Sequence, residues 1–119
     1  MLNLPLPVKI FWYLPPTDMR KSFDGLAAIV QEQLGQDPLS GHLFIFASRR
    51  RDRLKLLYFE RGGYAIWYKR LEEGTFALPK PSSEGGGVRL SAEELSWILS
   101  GVDLSAPRRK RYQRDTQAA

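Results

Sequence analysis

Three strand-like runs follow one another in the middle of the chain, and this pattern constrains the fold more than any other feature. The runs are HLFIFA at 42–47, LKLLYFE at 54–60 and YAIWYKR at 64–70. Each is rich in aliphatic and aromatic residues, and both connections are short enough to be hairpin loops. The pattern predicts an antiparallel meander at the centre of the domain.

The chain before the meander predicts a strand and the main helix. Residues 8–14 (VKIFWYL) are mostly apolar and lie between prolines, as a short strand would. Over residues 19–34 apolar side chains recur at steps of three and four, which is typical of one face of a helix. Thr17 is the expected N-cap of this helix, Asp18 its expected first-turn acid and Gly35 its expected end.

The chain after the meander predicts a linker, an edge strand and a shorter helix. The segment 79–87 (PKPSSEGGG) has the composition of a flexible linker, and residues 88–90 would add a strand at the sheet edge. Ser91 and Glu94 form a capping box, because each side chain can accept a hydrogen bond from a free amide at the helix start. Gly101 would end this helix.

Both faces of the meander are expected to be covered. Alternation along the middle strand places Leu54, Leu56 and Tyr58 on one face and Lys55, Leu57 and Phe59 on the other. Neither set is polar enough for a fully wet surface. The sequence therefore predicts a small α+β domain over residues 1–104, in which one long N-terminal and one shorter C-terminal helix accompany an antiparallel sheet, followed by a disordered basic tail at 105–119.

The positive charge is concentrated in two places. The chain carries a net charge of +5, and residues 49–55 (RRRDRLK) and 106–119 (APRRKRYQRDTQAA) each hold five bases and one acid. The rest of the chain is therefore mildly acidic. Such blocks most often form a solvated loop or tail, and less often a nucleic-acid contact that neutralises phosphates.

No residue pattern points to catalysis. The chain has no cysteine and a single histidine, His42, which excludes thiolate sites and most histidine-based metal chemistry. The aspartates are spread over separate elements, and glycines 85–87 lack the Lys-Ser or Lys-Thr that follows a phosphate-binding loop. We expect a protein that is not an enzyme and needs no cofactor or metal. Its apolar runs are too short to cross a membrane, so a cytoplasmic location is expected.

The aromatic residues of the meander allow two interpretations. Most of them are needed as core in so small a domain. Tyr58, Trp67 and Tyr68 are the three expected to be exposed, where aromatic rings beside bases could stack on nucleobases.

Three strings taken together resemble one family. They are TDMRKSFDGL at 17–26, GHLFIFASRRRDRLKLLYFE at 41–60 and YKRLEEGTF at 68–76. The chain resembles, from about residue 8 to residue 104, the TnpB-type accessory proteins of the insertion sequence 66 family of bacterial transposable elements. These proteins are unrelated to the RNA-guided nuclease of the same name.

The resemblance implies a protein that is needed for transposition, while a separate transposase cuts and joins the strands. It gives no catalytic residue to carry over. It does mark signature positions whose role it leaves open, namely Asp18, Met19, Arg20, Lys21, Phe23, Asp24, Arg50, Asp52, Lys55, Tyr68, Lys69 and Arg70.

Two functions compete at this point. In the first, an accessory factor binds DNA at the element ends through a basic hairpin and the tail, using Arg49, Arg50, Arg51, Arg53, Lys55, Arg108, Arg109, Lys110 and Arg111. In the second, an adaptor docks on the transposase or the co-encoded accessory protein without touching DNA, using Asp18, Arg20, Lys21, Asp24, Tyr68, Lys69 and Arg70. Both surfaces could coexist, and an exposed apolar edge would also allow a homodimer. A nuclease is disfavoured by the scattered carboxylates.

Overall fold

A computed structural model describes residues 8–77 and 87–100 of the chain. Most of the expected linker, the domain boundary at 104 and the basic tail lie outside the described residues. The described part holds five strands and two helices, in the order β1 (Ile10–Tyr13), α1 (Phe23–Glu32), β2 (Leu43–Ala47), β3 (Arg53–Glu60), β4 (Gly63–Arg70), β5 (Gly87–Leu90) and α2 (Ala92–Ser100).

The strands form one mixed sheet in the order β4-β3-β2-β1-β5. The antiparallel meander of β2, β3 and β4 is confirmed, and β5 lies at the edge as expected, antiparallel to β1. β1 runs parallel to β2, with Phe11 opposite Phe44. A parallel pair needs a crossover connection, which α1 provides, so the sheet is mixed rather than wholly antiparallel. The α+β class is confirmed.

The two faces of the sheet carry separate hydrophobic cores. On one face, α1 packs against β2 and β3, and the buried residues are Leu26, Ala27, Val30, Phe44, Phe46 and Leu57. On the other face, Leu95, Ile98 and Leu99 of α2 join Trp12, Ile45, Leu54 and Leu56 among others. The expectation that both faces are covered is confirmed.

Helix α1 begins five residues later than the sequence indicates. Its N-cap is Ser22, and the expected cap, Thr17, instead donates its backbone N–H to the carbonyl of Ala47 (2.8 Å). Asp18 accepts the backbone N–H of Arg20 (2.9 Å) in a local turn, and such turns compete with helix. Asp18 and Arg20 therefore precede the helix. The helix ends at Glu32, close to the predicted end, and Gly35 follows three residues later with a φ of +63°.

The capping box of α2 is formed as predicted. Ser91 Oγ accepts the backbone N–H of Glu94 (3.0 Å), and Glu94 Oε1 accepts the backbone N–H of Ser91 (2.9 Å). At the other end of α2, Lys69 Nζ donates to the carbonyl of Leu99 (3.1 Å). A cation beside the last carbonyls of a helix is favourable because those groups carry a partial negative charge.

His42 is a structural residue. Its Nδ1 accepts the backbone N–H of Lys9 (3.0 Å), and its ring meets Phe11 edge-on. Partial burial lowers the pKa of His42 below its ordinary value of 6.5, and the positive charges of Lys9 and Arg89 lower it further.

We expect the stability of the domain to fall as the pH is lowered through 6.5. In that range the unfolded chain takes up a proton on His42, whereas the folded chain resists it because Nδ1 is already an acceptor. Urea unfolding at a series of pH values measures the effect. The His42→Asn variant keeps a hydrogen-bond acceptor but cannot titrate, so its stability should depend less on pH in this range. If its stability changes with pH as much as that of the unaltered protein, other groups cause the effect.

Candidate nucleic-acid interface

The arginine cluster forms the tight hairpin between β2 and β3. Arg49 and Arg50 occupy the two central positions of a turn that the Arg51 N–H closes by donating to the Ser48 carbonyl (2.9 Å). All three arginines are exposed. None of them makes an ion pair with another of the described residues. The expectation that these bases lie on a hairpin tip is confirmed.

The hairpin is braced from inside. Ser48 Oγ donates to Asp52 Oδ1 (3.1 Å) and accepts the backbone N–H of Arg53 (3.1 Å). The carbonyls of Arg51 and Asp52 accept the backbone N–H groups of Phe76 (2.7 Å) and Leu71 (2.8 Å) respectively. Phe76 is itself buried in the core beneath α2. The tip is thus tied to the segment that follows β4, which limits its freedom.

The segment that precedes α1 lies beside this hairpin. Thr17 and Met19 form one side of an open groove of about 340 Å³, and the opposite side is lined by Ser48, Arg49, Arg50, Asp52 and Arg53. The hydroxyl of Thr17 is buried and finds no hydrogen-bond partner among the described residues. Two of the three signature strings therefore meet in space, although about thirty residues separate them along the chain.

Lys55 holds these two segments together. It is only 9% exposed, and its Nζ donates to the carbonyls of Met19 (2.7 Å) and Lys21 (2.8 Å). The same ammonium lies 5.0 Å from the centre of the Tyr68 ring, a cation–π distance. With two carbonyls and a ring around it, this ammonium is engaged inside the protein. We therefore no longer propose Lys55 as a phosphate contact. Its role in this fold is to position the segment that precedes α1.

The third signature string completes the cluster from β4. Tyr68 pairs with Lys55 across the sheet and Arg70 with Arg53, so the four side chains share one face. Tyr68 is 48% exposed, as predicted, whereas Tyr58 and Trp67 are half-buried against the core on the α2 side.

The other residues nominated for a partner surface lie in different surroundings. Lys69 points to the α2 face and bonds to that helix, so it is a structural residue in the described fold. Asp24 is exposed in the first turn of α1, where a carboxylate favours the helix dipole. Arg70 is exposed and its Nε donates to Glu72 Oε2 (2.9 Å). Arg108, Arg109, Lys110 and Arg111 lie outside the described residues.

Asp18 and Arg20 form an exposed ion pair in the segment that precedes α1. Arg20 Nη2 lies 2.7 Å from Asp18 Oδ2, and Arg20 Nε donates to both oxygens (3.1 Å each). The side-chain hydrogen bond from Arg20, supported by its backbone N–H, lowers the pKa of Asp18 from 3.8 to about 2.

Arg20→Ala should raise the pKa of Asp18 from about 2 part of the way toward 3.8. The return is partial because the backbone N–H of residue 20 still donates to the carboxylate. The lowered pKa means that the pair is present above the ordinary pKa and is lost as the pH falls toward 2. Carboxyl chemical shifts followed by NMR through an acid titration measure it. Lys21→Ala is the control, since Lys21 has only a small influence on this carboxyl; a pKa that stays unchanged in Arg20→Ala would show that the pair does not form in solution.

The sequence identified the residues of this cluster better than their roles. It missed the structural role of Lys55, although strand alternation places Lys55 on the same face as Leu57, which was expected to be covered. It also missed the buried hydroxyl of Thr17, for which the sequence carries no signal.

The described residues hold no group of three or more histidine, cysteine or carboxylate side chains able to bind a metal ion. Within the same part of the chain, no helix is long and apolar enough to span a membrane.

Comparison with known proteins identifies relatives over most of the chain. Residues 8–109 match the family described as IS66 Orf2 like protein. The uncharacterized protein y4hO of Sinorhizobium fredii (strain NBRC 101917 / NGR234) is 43% identical over 91 residues, which cover 76% of this chain and 77% of the relative. The uncharacterized protein y4jC of the same strain is 36% identical over 104 residues, 87% of each chain.

No solved structure shows a significant match to the chain. The family match covers most of the sequence and includes all three strings that meet at the hairpin. The chain thus belongs to the IS66 Orf2-like family, the accessory proteins of IS66 insertion elements.

Proposed function

We propose that this protein is a DNA-binding accessory factor in the transposition of an insertion element, and that the hairpin at residues 48–53 contacts the DNA backbone. The observation that supports this most is the convergence of the three signature strings on one basic surface. At its centre Arg49, Arg50 and Arg51 project from a braced turn with no carboxylate partner among the described residues.

The chemistry of this hairpin suits phosphate. A guanidinium offers a planar fork of donors that matches two phosphate oxygens, and it remains charged at any physiological pH. Because the loop is held by Ser48 and Asp52, less conformational entropy is lost when a ligand binds. Phosphate contacts orient a protein on DNA without reading its sequence. The described surface therefore supports binding to the backbone of an element end, with sequence choice left to other contacts or to the transposase.

The proposal gives the protein no catalytic step. Cutting and joining of strands would remain with the transposase, and this protein would hold or present the DNA. The four bases at 108–111 would add electrostatic attraction to the same polyanion.

The test is a salt titration of the purified protein on an element-end duplex and on a scrambled duplex of equal length. We expect affinity to fall by about 10³-fold or more between about 50 and 200 mM salt if six or more phosphates are neutralised. Similar affinities for the two duplexes would indicate backbone binding alone. Absence of binding to either duplex at the lowest salt concentration would overturn the proposal.

A second candidate function is an adaptor that docks on the transposase or the co-encoded accessory protein. The exposed side chain of Phe23, 43% accessible at the start of α1, favours it because Phe23 lies two residues after Lys21 and three after Arg20. Apolar side chains ringed by charge are typical of binding hot spots. Arg20→Glu with Lys21→Glu should then abolish co-purification with the partner, while alanine at Arg49, Arg50 and Arg51 leaves it intact; the reverse pattern favours DNA binding.

A further inference from the structure

Tyr68 stands apart from the other exposed apolar side chains. The described residues expose four large ones, namely Phe23, Leu39, Tyr68 and Trp97. Of these, Tyr68 alone lies on a strand, and its neighbours on the same face of the sheet include the bases Lys55, Arg53 and Arg70. An exposed aromatic ring beside guanidinium groups is the arrangement by which proteins hold unpaired nucleotides.

The Tyr68 ring is held in place from below. The ammonium of Lys55 lies 5.0 Å from the ring centre, and two backbone carbonyls fix that ammonium. A ring fixed in this way loses little rotamer freedom when a second flat group stacks on it. Its exposed half is therefore a preorganised stacking surface.

The nearest arginines are placed to meet a phosphate at the same time. Arg53 and Arg70 lie opposite each other on β3 and β4, each two residues away from Lys55 or Tyr68 along its own strand. Two residues of a strand span about 6.6 Å. This distance is close to that between a nucleobase and the phosphate of its nucleotide. The ion pair of Arg70 with Glu72 is exposed on both sides, and such pairs contribute little and exchange readily with another anion.

We infer that this surface binds single-stranded DNA, with one unpaired base stacked on Tyr68 and its phosphate between Arg53 and Arg70. In a duplex the base faces are covered by their neighbours, so the ring can engage only unpaired or flipped-out bases. The inference rests on the proposed DNA binding and narrows its substrate to DNA with an unpaired segment. The excess of bases on this face favours a polyanion over a protein partner.

The test compares a fluorescent oligonucleotide of the element end with the duplex of the same sequence, using fluorescence anisotropy. Tyr68→Ala should weaken single-strand binding about tenfold, because one stacked base is lost, and change duplex binding less than twofold. Tyr68→Phe keeps the ring and should bind like the unaltered protein. Trp97→Ala is the matched control, an exposed aromatic on α2 that faces no hairpin base.

A second readout locates the contact directly. An oligonucleotide carrying 5-iodouracil should photocrosslink to the peptide that contains Tyr68, and Tyr68→Ala should remove this crosslink. Thermal melting of each variant shows whether it is folded.

Three outcomes would overturn the inference while leaving the proposed function standing. Tyr68→Ala could bind the single strand as tightly as the unaltered protein, the crosslink could map elsewhere, or Tyr68→Ala could lose the transposase instead of the single strand. Failure of the unaltered protein to bind either form of DNA would reject the proposed function itself.

Discussion

Simultaneous replacement of Arg49, Arg50 and Arg51 by alanine is expected to lower the affinity for duplex DNA about a hundredfold or more at 0.1 M salt. If each guanidinium neutralises one phosphate, the slope of log affinity against log salt should become less steep by about 3. The three side chains are exposed and make no ion pair with another described residue, so their removal should leave the fold intact. Fluorescence anisotropy over a salt series measures both quantities.

Arg61 provides a matched control. It lies in the turn between β3 and β4, at the other end of β3, and it is exposed. Arg51 and Arg61 both adopt a left-handed backbone, with φ of 62° and 49°. Since arginine and alanine both carry a Cβ, the alanine substitution adds no backbone strain at either turn. Arg61→Ala should leave affinity within about twofold and the salt slope within about 1 of the unaltered protein.

Two results would argue against the hairpin as the DNA contact. One is equal loss of affinity in Arg61→Ala and in a single Arg51→Ala, which would indicate a general effect of net charge. The other is an unchanged slope of log affinity against log salt in the triple variant, which would mean that bases outside the hairpin contact the DNA.

The sequence predicted the features of this fold that depend on near neighbours. The three strands of the meander, the capping box of Ser91 and Glu94 and the helix end near Gly35 all lie where the local pattern indicates. Each depends on contacts within a few residues, or on alternation along one strand. The α+β class followed from these elements.

The features that it did not predict depend on distant parts of the chain. Apolar residues do recur with helical periodicity from Met19 onward. However, Lys55 donates to the carbonyls of Met19 and Lys21 from more than thirty residues away, and these bonds keep that segment out of the helix. The parallel pairing of β1 and β2 likewise depends on where α1 packs. Local patterns carry no information about such contacts.

The candidate site shows the same division. A run of arginines is visible in the sequence and its position on a hairpin tip could be predicted. Its meeting with Thr17 and Met19, and with Tyr68 on the next strand, could not, because tertiary pairing creates it. Tertiary contacts also decide which bases can bind a ligand. Lys55 and Lys69 donate to backbone carbonyls, whereas the hairpin arginines remain free to contact phosphate.

Lys55→Met is expected to lower the free energy of unfolding by about 2 to 4 kcal/mol. Two hydrogen bonds from a charged donor are lost, each worth about 1.5 to 3 kcal/mol. Part of that loss is offset because methionine does not carry the desolvation penalty of a buried ammonium and fills most of the same space. Lys21 is exposed, so its carbonyl can be solvated again, whereas Met19 is half-buried.

Urea denaturation of Lys55→Met and Lys69→Met compares two anchored lysines. The ammonium of Lys69 donates to one carbonyl and that of Lys55 to two, so the loss in Lys69→Met should be about half as large or less. In Lys55→Met the segment at 17–22 should also become more open to proteolysis, because its anchor to β3 is gone. A loss below about 0.5 kcal/mol, typical of a surface substitution, would mean that the ammonium is solvated and that the loop keeps its place through Thr17 and Ala47 alone.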